Sequence, residues 1–272
     1  MSKLDTADYP DAMNALTAIS LAAVNAIRAA FAPNSVRMKA DGSPVTTADE
    51  AAEAVIREGL VRLAHPLPIV SEECSEGRTF PAKSDRYYLV DPLDGTKEYI
   101  AGRNEYTINI ALMSEGRPVL GVITAPALGL IWRGIVGRGA ERLEFDAGKA
   151  LSPQPIHSRS APLGELIIMV SRSHLDPPTE AYLEHLPHTR RIGCGSSLKF
   201  CRLAEGAADH YPRLGPTRDW DVAAGHAILT AAGGIVTELD GSPLKYGTIG
   251  LRIPSFLAWG DPSRAKQSSG QY

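Results

Sequence analysis

Cysteine is scarce in this 272-residue chain: Cys74, Cys194 and Cys201 make an odd total without a CxxC pair. That excludes a disulfide framework or a zinc knuckle and leaves structural thiols of a reducing cytosol as the default. The seven histidines show neither HxxxH nor HxH spacing, so no His-rich metal site is encoded. A basic excess is missing too. Lys and Arg total 28 against 31 Asp and Glu, a formal net charge of −3, and no footprint for duplex DNA or RNA is visible. An anionic chain with clustered acids repels phosphate unless bound cations supply local positive charge. Long apolar runs are lacking as well. The first five residues have neither the apolar core nor the cleavage site of a signal peptide. The tract from Leu21 to Phe31 is interrupted by Asn25 and Arg28 and is too short for a bilayer. No internal repeat or low-complexity run occurs. What is left is an ordinary globular composition, 44% hydrophobic and 22% charged, sufficient for one large domain or two closely packed ones.

Periodicity gives the elements. Met13, Leu16, Ile19, Ala23, Ile27 and Phe31 predict an amphipathic helix over Asp11–Phe31, stopped by Pro33 and Asn34. Residues 37–42 read as a strand or extended loop. Thr47 and Glu50 fit a capping box for a second helix reaching His65. Leu67–Val70 and Tyr87–Val90 read as strands, the second ended in a tight turn by Pro92 and Gly95, with a polar loop from Cys74 to Asp85 between them. Thr107–Met113, Pro118–Ala125 and Leu130–Val136 predict antiparallel strands, with Gly139–Leu143 as an edge. Near Ala150 the character changes, and Pro153-Gln154-Pro155 marks a boundary. Beyond it strands at 166–170, 190–193, 208–214, 235–238 and 255–258 alternate with helices at 178–184, 198–205 and 222–232. The expectation is an N-terminal α+β half, residues 1–152, and a C-terminal α/β half, residues 153–272, with a polar, frayed tail from Asp261.

Acids stand at strand ends or helix starts in four places. Asp91-Pro92-Leu93-Asp94-Gly95-Thr96 leaves a strand with two carboxylates, a hydroxyl and the Leu93 carbonyl within six residues. Such hard oxygen donors suit Mg²⁺ rather than Zn²⁺, although an Asx-turn with two solvated aspartates uses the same residues. Asp49 lies in a helix's first turn, where dipole compensation alone explains an acid. Glu72 follows a strand, with Glu73 as its solvated neighbour. Asp221 opens a helix, where capping explains it. Gly195-Ser196-Ser197 opening a helix, with Lys199 one turn in, suits either an anion cradle or a plain Gly-Ser loop with a surface lysine; Arg213 is a weaker candidate of the same kind. Trp220 reads as packing beneath the acidic loop, and Ala223, Ala224 and Gly225 as allowing close approach of a helix to the sheet.

The local wording lifts these acids out of coincidence. Asp91–Thr96 together with Trp220-Asp221-Val222-Ala223-Ala224-Gly225 resembles the inositol monophosphatase-like, lithium-sensitive, magnesium-dependent phosphatases. Gly95-Thr96-Lys97-Glu98-Tyr99, Asn104–Ala111, Gly195–Cys201 and Tyr211–Thr217 resemble the 3′(2′),5′-bisphosphate nucleotidase branch of the bacterial CysQ type, over about residues 40–260. Lys97-Glu98 weighs most for the branch, because plain inositol monophosphatases usually carry Thr-Asn-Phe there. Arg218-Asp219 is a local variation that touches no expected ligand.

The resemblance implies a layered αβαβα sugar-phosphatase fold with an antiparallel first sheet and a mixed second one. It implies that Glu72, Asp91 and the Leu93 carbonyl hold one Mg²⁺, that Asp91, Asp94 and Asp221 hold a second, and that Glu72 helps hold a weaker third. Asp49 and Thr96 position and deprotonate the attacking water. Glu72, Leu93, Asp94, Gly95, Thr96 and Asp221 also face the substrate phosphate, with Gly195, Ser196, Ser197, Lys199 and Arg213 near a second one. The implied reaction is hydrolysis of the 3′-phosphate of adenosine 3′,5′-bisphosphate, with the sulfated analogue as a second substrate, lithium inhibition, and a role in sulfur assimilation or nucleotide recycling. Inositol or sugar monophosphate hydrolysis is the alternative, and a non-catalytic phosphonucleotide-binding protein the remote one. A cytoplasmic monomer or homodimer is expected; contact with the inner membrane is left open.

Overall fold

A computed structural model of the chain describes residues 6–30, 36–39, 42–74, 85–173 and 175–268. The expected helix stop at Pro33-Asn34, most of the loop between Cys74 and Asp85, and the last residues of the tail lie outside them.

The chain opens with α1 (Tyr9–Ala29), a small hairpin of β1 (Arg37–Met38) and β2 (Pro44–Val45), and α2 (Thr47–Val61). An eight-stranded sheet follows. It comprises β3 (Ile69–Ser71), β4 (Arg86–Asp94), β5 (Thr107–Ser114), β6 (Arg117–Ala125), β7 (Leu130–Ile135), β8 (Gly139–Asp146), β9 (Lys149–Ala150) and β10 (Gln154–Ile156), with α3 (Thr96–Ile100) between β4 and β5. Its order is β10-β8-β7-β6-β5-β4-β3, with β9 on β8; every pair is antiparallel except β3–β4. The expected edge strand at 139–143 is therefore interior, and Gln154–Ile156, read as a boundary because of its prolines, pairs with it. Pro155 is tolerated because β10 is an edge strand.

The second sheet is mixed. Parallel β11 (Leu166–Ser171) and β12 (Thr189–Cys194), separated by α4 (Pro177–Glu184), continue through β13 (His210–Arg213), β17 (Phe256–Trp259) and β15 (Ile235–Glu238). Between them run α5 (Leu198–Ala204), α6 (Asp219–Ala231) and a ribbon of β14 (Thr217–Arg218) with β16 (Arg252–Ile253). The polar tail, expected to fray, instead forms α7 (Pro262–Ser268), which buries Ala265 against the second sheet.

Burial explains the layers. Tyr88 and Val90 face α1 and α2, while Tyr87 and Leu89, one residue away, face α5 and α6. The strands read as continuous apolar runs because both sheet faces are covered. A third cluster, with Ile168, Leu257 and Tyr182, packs α4 and α7 outside the second sheet. The order is thus helices, sheet, α5 with α6, sheet, helices. Helix α1, with its leading turn, is long and apolar enough to cross a membrane by length and composition alone, but Leu16, Ala23, Val24 and Ile27 are committed to the core.

Close approach of α6 to the first sheet comes from glycines in the strands. A Cβ on Gly121 of β6 would lie 2.3 Å from the Ala224 carbonyl oxygen, and one on Gly134 of β7 would lie 2.9 Å from Ala231. Gly225, expected to serve the sheet contact, instead makes room for Phe200 of α5, 2.4 Å from where its Cβ would stand.

Candidate active site

Strand β4 does not stop at Pro92. Its ladder to β5 pairs Asp91 with Asn109, slips, and resumes at Asp94 with Thr107. Proline has no N–H to give the ladder, so the register shifts there without ending the strand. The irregular segment aims Asp91 and Asp94 out of the strand end. The Leu93 amide donates back to Asp91 Oδ1 (3.0 Å). The Leu93 carbonyl accepts from Thr96 Oγ1 (3.2 Å). Gly95 turns the chain at φ 92°, a left-handed conformation suited to glycine.

Helix α2 starts one residue earlier than the sequence suggests. Its cap is Thr46, not Thr47, and the boxed acid is Asp49, not Glu50. The register decides this: Asp49 falls on the buried face with Ala48, Ala52 and Ile56, while Glu50 turns outward to pair with Arg37. Asp49 Oδ2 accepts from the Thr46 amide (2.8 Å) and hydroxyl (2.6 Å); Oδ1 accepts from Thr96 Oγ1 (3.1 Å). Burial raises its pKa against those hydrogen bonds.

Glu72, after β3, and Asp221, in the first turn of α6, close the cluster. Glu72, Asp91 and Asp221 each bring a carboxylate oxygen to within 4.8 Å of the others. Asp221 is also held locally, accepting from Thr217 Oγ1 (2.6 Å) and the Arg218 amide (3.0 Å), so the capping explanation and the site explanation both apply. Burial, then the neighbouring carboxylates, drives the Asp91 pKa well above the ordinary range. Burial and Asp221 raise Asp94, opposed by Lys199, Asn109 and the Ser197 amide. Burial raises Glu72 also, against the pull of Lys39. Acids this close in a buried strand end repel one another unless protons or cations neutralise them. Hard carboxylate and carbonyl oxygens, with no histidine or thiol joining them among the described residues, are the donor set Mg²⁺ takes, and the residues fit it.

Several contributors escaped the sequence reading. Lys39 Nζ bridges Glu72 (2.8 Å) and Glu73 (2.6 Å), so Glu73 is paired rather than solvated. The two acids hold the ammonium protonated despite its burial. Asn109 lies opposite Asp91 and accepts from the Ser197 hydroxyl (2.7 Å). Asp219 is wholly buried, burial lifting its pKa to about 6, with the Gly247 amide donating to it (2.7 Å). The Thr46–Asp49 spacing was visible in the sequence, but Thr47–Glu50 offered the same pattern one residue on. Lys39 carries no local signal, because its partners lie more than thirty residues away.

A cleft gathers Glu72, Asp94, Gly95, Thr96 and Asp221 on one side and Gly195, Ser196, Ser197, Lys199 and Arg213 on the other. On the second side most donors are already engaged. The Gly195 amide donates to Glu105 (2.9 Å), and the Ser197 hydroxyl, besides Asn109, shares a hydrogen bond with Thr107. Lys199 is buried, donates to the Ser196 carbonyl, and lies 5.2 Å from the Tyr211 ring centroid. It is an anchored lysine, not a surface one. Arg213 donates to the Gly215 (3.3 Å) and Pro216 (2.8 Å) carbonyls. Trp220 packs in the core cluster.

Known proteins resemble this chain in sequence and fold. The sequence pattern of the inositol monophosphatase family spans residues 10–268. The 3′(2′),5′-bisphosphate nucleotidase CysQ of Shigella flexneri is 45% identical over 214 residues, 79% of this chain and 84% of that protein; its counterpart in Escherichia coli K12 is 44% identical over the same span. The crystal structure of CysQ from Bacteroides thetaiotaomicron, 36% identical, superimposes with a TM-score of 0.77 over 90% of this chain and 96% of that one. An inositol monophosphatase from Anabaena, 28% identical, gives 0.73 over 96% of each. With a strand-end acid cluster, a Thr–Asp pair beside it and this shared architecture, the chain belongs to the inositol monophosphatase family.

Proposed function

We propose that the chain is a Mg²⁺-dependent 3′(2′),5′-bisphosphate nucleotidase that removes the 3′-phosphate of adenosine 3′,5′-bisphosphate, giving AMP and phosphate. The sulfated analogue is a second substrate, and the enzyme is cytoplasmic and inhibited by lithium. The single observation that carries the reading is the Thr96 hydroxyl. It donates to Asp49 at 3.1 Å and lies in the same cleft as Glu72, Asp94 and Asp221. A hydroxyl is a poor base alone, but backed by a buried carboxylate it passes on the proton of a water it holds.

Glu72, Asp91 and the Leu93 carbonyl would hold one ion, Asp91, Asp94 and Asp221 a second, and Glu72 part of a third. Bound Mg²⁺ offsets phosphate charge and acidifies water. The chain's own residues do the rest. Gly95 and Thr96 present backbone amides to the phosphate, Thr96 and Asp49 orient the attacking water and take its proton, and the wall carrying Lys199 and Arg213 faces the rest of the substrate. The CysQ-type name of relatives at 44–45% identity supports the nucleotide. The inositol monophosphate reading is favoured by one observation, the Anabaena likeness over 96% of the chain.

Phosphate release from adenosine 3′,5′-bisphosphate and inositol 1-phosphate, with Mg²⁺ and with or without lithium, separates the two. A higher kcat/KM for the bisphosphate is expected. Preference for inositol 1-phosphate overturns the substrate assignment, and no release from either overturns the activity.

A further inference from the structure

Glu105 is wedged between the two walls of the cleft. Its carbonyl oxygen lies 3.0 Å from where a Gly95 Cβ would stand and 2.7 Å from where a Gly195 Cβ would stand. Neither glycine has room for a side chain. The Glu105 carboxylate meets Arg172, just after β11, in a two-pronged pair: Nε to Oε2 and Nη2 to Oε1, both 2.7 Å. The same groups hold the loop into α5. The Gly195 amide donates to Glu105 Oε2 (2.9 Å), Arg172 Nη2 donates to the Gly193 carbonyl (2.6 Å), and the Arg172 amide donates to the Cys194 carbonyl (3.2 Å). Nearby, Ser173 donates to the buried Glu98 of α3, whose Cγ also abuts the Gly195 Cβ position at 3.0 Å. Arg172 pulls the Glu105 carboxyl below the usual carboxylate range.

We propose that Glu105 and Arg172 are positioning residues that lock the Gly195–Ser197 loop to the Gly95–Thr96 turn, and so fix how far the second phosphate of a bisphosphate sits from the one being cleaved. This rests on the nucleotidase reading above. An isolated surface ion pair contributes little to stability, but this one is two-pronged and each partner also holds loop backbone. Its effect lies in geometry. A ligand with a phosphate on each wall depends on the spacing between them, whereas a ligand with only the scissile phosphate has no second phosphate to place.

The test uses full-length wild type, Glu105→Gln, Arg172→Lys and the exchanged double variant Glu105→Arg/Arg172→Glu. The substrates are adenosine 3′,5′-bisphosphate and adenosine 3′-monophosphate, which differ only in the second phosphate. In both single variants KM for the bisphosphate is expected to rise on the order of tenfold, with kcat for it and both constants for the monophosphate within about twofold. The exchanged variant is expected to recover part of the loss. Equal changes for the two substrates, or no change in KM, overturn the proposal. A wild type that favours the bisphosphate alongside variants that keep that preference overturns the lock alone. A wild type indifferent to the second phosphate overturns the nucleotidase reading and the lock together.

Discussion

Replacing Asp49 by Asn tests the proton path at one atom. Asn keeps the size and one acceptor oxygen, but the second oxygen becomes an NH₂ group. Oδ2 receives two donors from Thr46, at 2.8 and 2.6 Å, and Oδ1 receives one from Thr96 at 3.1 Å. The amide therefore keeps its oxygen toward Thr46 and turns the NH₂ toward Thr96. The hydroxyl then faces a donor and has nothing to pass a proton to. Loss of a positioned base costs about 10²- to 10⁴-fold in rate, or roughly 3–5 kcal/mol at about 1.4 kcal/mol per decade. Stability responds little, because two effects oppose each other. The weakened cap costs about 1 kcal/mol, but a carboxylate whose charge is disfavoured by burial is removed. Since about 1 kcal/mol moves the Tm of a chain this size by roughly 2–4 °C, the variant's Tm is expected within about that range of wild type. Steady-state phosphate release with saturating Mg²⁺, thermal unfolding and Mg²⁺ calorimetry read the three quantities. Activity within tenfold of wild type, with Mg²⁺ binding unchanged, refutes the relay.

Three further expectations follow from the same geometry. Burial and mutual repulsion raise the pKa values of Glu72, Asp91 and Asp94, so the metal-free protein binds extra protons when folded; its cluster favours folding below the ordinary carboxylate range and loses that contribution as pH rises toward about 7. The Tm gain on adding Mg²⁺ is therefore expected to be larger at pH 8 than at pH 5.5, and a gain equal at both, by calorimetry, counts against the cluster. Asp94→Asn removes one charge from the site and is expected to abolish turnover while leaving the metal-free Tm unchanged or higher, checked by phosphate release and thermal unfolding. Gly121→Ala places a methyl 2.3 Å from the Ala224 carbonyl and is expected to push α6 away at a cost of about 1–3 kcal/mol, weakening Mg²⁺ binding because Asp221 rides on that helix; denaturant unfolding and calorimetry check both.

The apolar runs made most of the fold legible. Tyr87–Val90 and Leu166–Val170 read as buried strands because two covered faces leave no room for polar alternation. What failed to read depended on distant partners. Gln154–Ile156 looked like a boundary because Pro155 is informative only once its edge position is known. The polar tail looked frayed because Ala265, a small residue with no periodic apolar neighbours in the sequence, is the buried anchor found among the described side chains of α7. The acidic motifs named Asp49, Glu72, Asp91, Asp94 and Asp221, and the structure brings Glu72, Asp91 and Asp221 to one point. Their supports did not read. Lys39 bridges two acids in a different segment, Asn109 is set opposite Asp91 by strand register, and Glu105 meets Arg172 across 67 residues.

Anomalous diffraction from crystals of the full chain soaked in Mn²⁺, a scattering substitute for Mg²⁺, addresses the cluster most directly. Peaks within bonding distance of Glu72, Asp91 and Asp221 are the expected outcome, with Asp94 and the Leu93 carbonyl among the ligands. A map with no peak at these oxygens, at a concentration that supports catalysis, would contradict the account.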